Sequence, residues 1–301
     1  MASLSYLELY ASDSRCYFSG DRGDERAPLV VLGVPFDSTS SYRAGSRFAP
    51  QRIREASQNI ETFSLRARVD LEDVCYFDAG DIATLPDPAE TLRRVERVVS
   101  ELARGGRRVL ILGGEHTITL GAVRGLLAAH CDIAVLVLDA HLDMRNEYPG
   151  GQRLSHATVV RRLVELVGGE RVVVLGARAL SREELEAAEE LGLRYLTPSE
   201  LSASGARELA EALTERSARL YLSIDLDVVD PAYAPAVQNP EVEGVCPSVV
   251  LDVIYEVSRA ADIVGMDIVE YAPPYDASGA TAVLAAKLAT EALIYMWASK
   301  R

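Results

Sequence analysis

Ile133-Ala134-Val135-Leu136-Val137-Leu138-Asp139-Ala140-His141-Leu142-Asp143 opens with an unbroken apolar run that stops abruptly at a carboxylate. The run is too short for a helix, and it lacks the polar alternation of a half-exposed strand. It predicts a strand buried on both faces, the kind that fills parallel sheets. The same unit recurs along the chain. Further strands are predicted at Leu29–Val34, Cys75–Phe77, Val109–Leu112, Val172–Leu175, Leu193–Leu196, Leu220–Ile224 and Ile263–Val269. Helical patterns lie between them, at Pro50–Ala56, Ala89–Arg104, Thr117–Ala129, Ala157–Val167, Arg182–Leu191, Ala206–Arg216, Ser248–Ser258 and Thr281–Ala298. Pro50 suits a first helical turn and Ser248 is placed to cap its helix. Strand–helix alternation of this kind implies an α/β protein with three layers, α/β/α, around a mainly parallel sheet of about eight strands. No linker, repeat or low-complexity tract divides the 301 residues, so a single domain over 1–301 is expected.

Ligands of open α/β sheets bind at the carboxyl ends of the strands, and polar clusters fall there strand after strand. Residues two apart in an extended chain point the same way. Asp139, His141 and Asp143 would therefore converge past Leu138, and a carboxylate–imidazole–carboxylate group is a metal site by ligand type. Asp225 and Asp227 follow Leu220–Ile224 in the same fashion. Adjacent carboxylates repel unless a cation or a proton lies between them. Pro231, standing where a calcium-binding EF-hand loop needs glycine, excludes that motif, and Asp230 before it reads as a turn residue. Gly113-Gly114-Glu115-His116 follows Val109–Leu112 and offers His116 as a ligand or as a packed histidine; no Gly-Lys-Ser/Thr makes it a phosphate loop. His156 is a proton shuttle or a helix-start residue, and His130 reads as structural. Glu270 closes another strand, either to hold a cationic substrate or as a surface acid paired with an arginine.

The net charge of −14 excludes a nucleic-acid partner, whose phosphates need a basic surface. It suits solubility, and it attracts cations. Only Lys287 and Lys300 among 31 basic residues are lysine. No uninterrupted apolar run reaches the ~18 residues of a membrane span, and Met1-Ala2-Ser3-Leu4 does not begin a signal peptide. Cys16, Cys75, Cys131 and Cys246 lie far apart, as free thiols in a reducing cytoplasm would.

These segments together resemble the ureohydrolase family of arginase, agmatinase and relatives. The resemblance runs over nearly the whole chain, from Gly33-Val34-Pro35-Phe36-Asp37 through Gly45-Ser46-Arg47-Phe48-Ala49-Pro50 and Asp78-Ala79-Gly80-Asp81 to the histidine and aspartate motifs in order. It implies two Mn2+ per subunit. One ion would be held by His116, Asp139, Asp143 and Asp225, the other by Asp139, His141, Asp225 and Asp227, with Asp139 and Asp225 bridging. Four aspartates cancel the charge of two divalent ions, and an oxygen-rich set with two imidazoles suits manganese. The resemblance further implies that Glu270 grips a guanidinium through paired charge-assisted bonds. Asp143 would hand a proton to the leaving amine and His156 would relay protons to solvent. Glu270, His156, Asn239 and Tyr148 would touch the substrate.

Asp143-Met144-Arg145-Asn146-Glu147-Tyr148-Pro149-Gly150 and Val269-Glu270-Tyr271-Ala272-Pro273-Pro274-Tyr275-Asp276 are agmatinase-like, and the Ser-Gly-Asn loop by which arginases hold an α-carboxylate is absent. Agmatine hydrolysis to putrescine and urea is the implied activity. Aminopropylagmatine hydrolysis to spermidine is the nearest alternative, and arginine or another guanidino acid follows. A non-catalytic metal-binding relative, or a one-zinc deacetylase of the same general fold, stands further off. A homo-oligomer, trimer or hexamer, is implied by resemblance alone. One departure is notable. In Ala236-Val237-Gln238-Asn239-Pro240-Glu241-Val242-Glu243-Gly244, alanine, glutamine, valine and glutamate replace family glycine and proline positions. Non-glycine residues disfavour positive φ, so a different loop path is expected.

Overall fold

The computed structural model describes residues 5–148, 150–215 and 217–299. Met1–Leu4, Pro149, Lys300, Arg301 and Arg216, the expected end of one helix, lie outside the described residues. The strands are β1 (Ala11–Ser12), β2 (Leu29–Gly33), β3 (Phe63–Ser64), β4 (Val69–Asp70), β5 (Tyr76–Ile82), β6 (Arg108–Leu112), β7 (Ala134–Leu138), β8 (Val172–Leu175), β9 (Arg194–Leu196), β10 (Leu220–Asp225) and β11 (Ile263–Val269). The helices are α1 (Tyr6–Tyr10), α2 (Ala49–Ser57), α3 (Pro88–Arg104), α4 (Ile118–Leu127), α5 (Val159–Val167), α6 (Arg182–Leu191), α7 (Ala203–Thr214), α8 (Pro247–Ala260) and α9 (Ala280–Ala298).

Nine strands form one sheet in the order β1-β5-β2-β6-β11-β10-β7-β8-β9, and β3 with β4 makes a separate hairpin. All neighbours in the large sheet are parallel except β1, which joins the edge of β5 antiparallel. The eight expected strands are present. The ninth, two residues long, is too short to leave a periodic signal.

The sheet separates two cores. Val31, Leu110, Leu136 and Leu222 face α2, α7, α8 and α9, while Val30, Val109, Val135 and Val174 face α3, α4 and α5. Every residue of β2, β6, β7 and β8 is buried, which is why these strands read as unbroken apolar runs. α9, nineteen residues long, is apolar and long enough to cross a membrane. Here it is a core helix: 78% of its most apolar 18-residue stretch is buried, and Lys287 and Glu291 interrupt its apolar run.

Two local expectations change. β5 runs on to Ile82 through Asp78 and Asp81, whose charge disguised it. The fully buried Arg54 guanidinium meets both Asp78 oxygens at 2.8 Å and Asp81 Oδ1 at 2.6 Å. A buried carboxylate so paired is tolerated inside a strand. The Asp78-Ala79-Gly80-Asp81 motif is thus a structural clasp between β5 and α2. Ser248 does not cap α8; the helix starts at Pro247, with Cys246 in the capping position and no side-chain cap bond.

Register puts the strand ends level. Ile224 pairs with Leu138 on one side and Ile268 on the other, and Ile268 pairs with Leu112. The residues that follow these four central strands must therefore meet above one edge of the sheet.

Candidate metal centre

Above that edge lie His116, Asp139, His141, Asp143, Asp225 and Asp227. His116 Nδ1 is 3.0 Å from Asp139 Oδ2 and 3.3 Å from both Asp143 Oδ2 and Asp225 Oδ2. His141 Nδ1 is 2.9 Å from Asp227 Oδ2 and 3.5 Å from Asp139 Oδ1. Asp139 thus turns one oxygen toward each ring. His116 Nδ1 and Asp139 Oδ2 are fully buried yet make no hydrogen bond. Buried polar atoms rarely lack partners. Donor atoms that approach one another without hydrogen-bond alignment, as these do, suit a shared cation. His116, Asp139 and Asp225 form one such group, and Asp139, His141 and Asp227 the other.

The backbone route differs from a simple extended chain. β7 ends at Leu138, and Asp143 reaches the cluster through a left-handed turn with φ 49°. Asp227 lies in a 3-10 turn after β10, its N–H donating to Asp225 Oδ1 at 2.9 Å. The His141 N–H donates to Asp139 Oδ1 at 2.6 Å, and the Ala140 N–H to Asp227 Oδ1 at 3.0 Å. Gly114 permits the turn before His116: a Cβ there would lie 1.9 Å from the Phe36 carbonyl oxygen.

A buried relay holds the His116 ring. Asp267 of β11 accepts hydroxyl bonds from Ser223 at 2.6 Å, Thr119 at 2.6 Å and Tyr221 at 2.7 Å. With its proton committed to Asp267, Ser223 Oγ accepts from His116 Nε2, 3.0 Å away. That leaves Nδ1 as the atom facing the carboxylates.

Charge is crowded here. Burial, and then the charge of Asp139, push the Asp143 carboxyl up to about 7. Burial, then Asp227 and Asp139, raise Asp225 well above the usual range. Burial opposes protonation of both rings, yet the surrounding carboxylates hold His116 and His141 well above the ordinary histidine value. Carboxylates that resist joint ionisation in this way are those a cation would relieve.

The cluster floors a cavity of 340 Å3. Glu270, His156, Tyr148, Asn239 and Ser41 also line it, with Arg145, Glu184 and Glu241. The surface-acid alternative for Glu270 is excluded. The residue is only 2% exposed, and no arginine pairs with it among the described residues. Its Oε1 accepts from the His116 N–H at 2.6 Å and its Oε2 from Gln238 Nε2 at 2.6 Å. Glu270 too has left-handed backbone, φ 67°. His156 Nε2 lies 3.0 Å from Ser41 Oγ, and Nδ1 is 3.4 Å from Thr39 Oγ1, which donates to the buried Glu115. Burial, then the neighbouring rings of His141 and His116, depress His156 to about 4. The Tyr148 ring lies 5.6 Å from that of His156, and Ser41 reaches Asn239 Oδ1 at 3.4 Å. His130 stands apart from this cluster, after α4. Asp230 makes the expected turn, accepting from the Ala232 N–H at 2.9 Å.

Within the 236–244 loop only Glu243 has positive φ, 63°. Ala236 and Gln238 are buried, and Arg178 holds the loop by bonds to the Val242 and Glu241 carbonyls at 2.7 and 2.8 Å. Sequence reasoning also missed Ser41, Glu115, Gln238, Ser223 and Asp267. Two had left a signal: Ser223 lies two before Asp225, and Asp267 is a lone charge inside an apolar strand.

Residues 27–295 match the profile of the arginase family. The agmatinase of Bacillus anthracis is 39% identical over 274 residues, 90% of this chain and 92% of that protein. The N(1)-aminopropylagmatine ureohydrolase of Thermococcus kodakarensis is 38% identical, over 88% of this chain and 89% of the relative. The crystal structure of agmatine ureohydrolase of Thermoplasma volcanium superposes with a TM-score of 0.85 at 38% identity, covering 95% of each chain. A profile spanning most of the chain, and relatives matched nearly end to end, carry one conclusion: this protein belongs to the arginase family.

Proposed function

We propose that this protein is a binuclear-manganese ureohydrolase that converts agmatine and water to putrescine and urea. The observation that carries the reading is Glu270: a buried carboxylate with no arginine or lysine partner among the described residues, facing the cavity beside the acid–imidazole floor. It fits the charged end of a guanidine, which at a pKa of ~12.5–13.8 stays protonated in water. Agmatinase relatives at 37–39% identity support the substrate.

His116, Asp139, Asp143 and Asp225 would hold one ion, and Asp139, His141, Asp225 and Asp227 the other. When bound, such ions supply Lewis acidity and a water acidified toward neutrality. Glu270 takes the N–H groups of the guanidinium and fixes its carbon over the floor. Asp143, on the cavity wall, passes the proton released by the attacking water to the departing amine. His156, neutral at pH 7 because it is buried, accepts a proton through a nitrogen at the cavity wall. Tyr148 and Asn239 close the wall around the chain of the substrate.

Hydrolysis of N1-aminopropylagmatine to spermidine is a second reading, favoured by Glu241, a half-exposed carboxylate on the cavity wall suited to an extra amine. A cytoplasmic, homo-oligomeric protein with 1–301 as one domain completes the proposal. Four free cysteines and a single sheet spanning Ala11 to Val269 support the setting and the domain.

The test is urea release from agmatine, aminopropylagmatine, arginine and guanidinobutyrate by the manganese-loaded protein. Agmatine or its aminopropyl derivative should show the highest kcat/KM. A preference for arginine at low and high salt alike would refute the assignment. Metal content with no urea from any guanidine would point to a non-catalytic relative.

A further inference from the structure

We propose that Gln238 is a positioning residue that fixes the carboxylate of Glu270 for the guanidinium of the substrate. The inference rests on reading Glu270 as the guanidinium holder, and it concerns a residue of the loop in which this chain departs from the resembling family.

A carboxylate has about four lone-pair sites, two on each oxygen. The His116 N–H takes one on Oε1, and Gln238 Nε2, at 2.6 Å, takes one on Oε2. One site per oxygen is left, which is what a forked guanidinium needs. With a donor fixed on each oxygen, the plane of the carboxylate is set before any substrate arrives.

Gln238 is itself immobile. It is 1% exposed, and its remaining amide hydrogen goes to Ser46 Oγ at 3.0 Å. Its Oε1 accepts from Ser40 Oγ, and its backbone N–H donates to the Glu270 carbonyl at 3.1 Å. It does not line the cavity, so it acts on Glu270 from behind. An amide is also the right chemistry. An arginine or lysine there would neutralise the carboxylate, whereas a neutral donor orients it and leaves its charge for the substrate. The left-handed backbone of Glu270 is the kind of conformation that persists only where the surroundings over-determine it. The Gln238 side-chain and backbone bonds provide two of those constraints.

The experiment compares the wild type with Gln238→Met, which keeps the length but has no donor, and Gln238→Gly, which removes the side chain. KM and kcat for agmatine are measured with the inhibition constant of guanidinium chloride, manganese content and Tm. KM and the guanidinium constant should rise together by roughly tenfold in both variants, with kcat less affected and manganese retained. Values within about twofold of wild type would overturn the proposal, as would a lowered Tm with unchanged guanidinium affinity, the mark of a merely structural residue. Should Gln238→Met fail to fold, Gln238→Gly decides. A wild type that hydrolyses guanidines beside indifferent variants removes only Gln238 from the site. A wild type that neither releases urea nor binds guanidinium removes the reading of Glu270, and Gln238 with it.

Discussion

Asp143 and Glu270 share a property that no sequence pattern announces: both turn their side chains to the cavity from left-handed backbone. Such geometry costs of the order of 1–2 kcal/mol per residue and persists where something else over-determines it. Glu270 is where this is most testable. In Glu270→Gln the shape stays and the charge goes. Manganese binding should survive, because Glu270 is not a proposed ligand. The kcat/KM for agmatine should fall by roughly two orders of magnitude, through lost charge-assisted bonds and a misplaced reacting carbon. Near-normal urea release by the metal-loaded variant would take Glu270 out of the site. The acids and histidines of the floor were legible because each follows an apolar strand. Gln238 was not, because its part depends on a partner 32 residues away in a different segment.

At the level of elements, apolar runs marked the central strands well, and polar exceptions inside them carried the hidden information. Asp78 shortened the apparent β5 because its partner Arg54 comes from α2. α5 begins later than its pattern suggests because His156–Thr158 forms a 3-10 turn first. Asp267 is the exception in β11. Among the described residues no cation pairs with it; hydroxyls from β10 and α4 solvate it, and its outlet is Ser223 and then His116. Asp267→Asn should therefore loosen the ring that faces the carboxylates. The expected result is a fall in manganese affinity of about 10–100-fold, read by titration of the chelated protein and independent of turnover. Unchanged affinity for both ions would reduce Asp267 to a packing residue.

For the whole molecule, the acid–imidazole cluster makes stability depend on pH. His156 has a native pKa of about 4, below the ordinary ~6.5. Its contribution is complete above the ordinary value and is lost as pH falls through that window, because the unfolded chain then binds the extra proton. Between about pH 7 and pH 4, the chelated wild type should lose about 3 kcal/mol more than His156→Gln, by urea unfolding at each pH. His116 and His141, shifted the other way, are common to both proteins. Equal losses would show that His156 is solvated in the folded chain.

The strand order has a consequence for how the chain is made. β11 lies between β6 and β10, which do not touch each other. Until it forms, the sheet is two four-stranded halves, β1-β5-β2-β6 and β10-β7-β8-β9, each with an open inner edge. His116 belongs to the first half, and the five other proposed ligands to the second. A nascent chain stalled before Ile263 would thus carry all six proposed ligands, one on one half and five on the other, yet no assembled site, with two apolar edges for a chaperone to guard. The last strand to emerge from the ribosome joins the halves and, in the same movement, closes the pocket with Glu270.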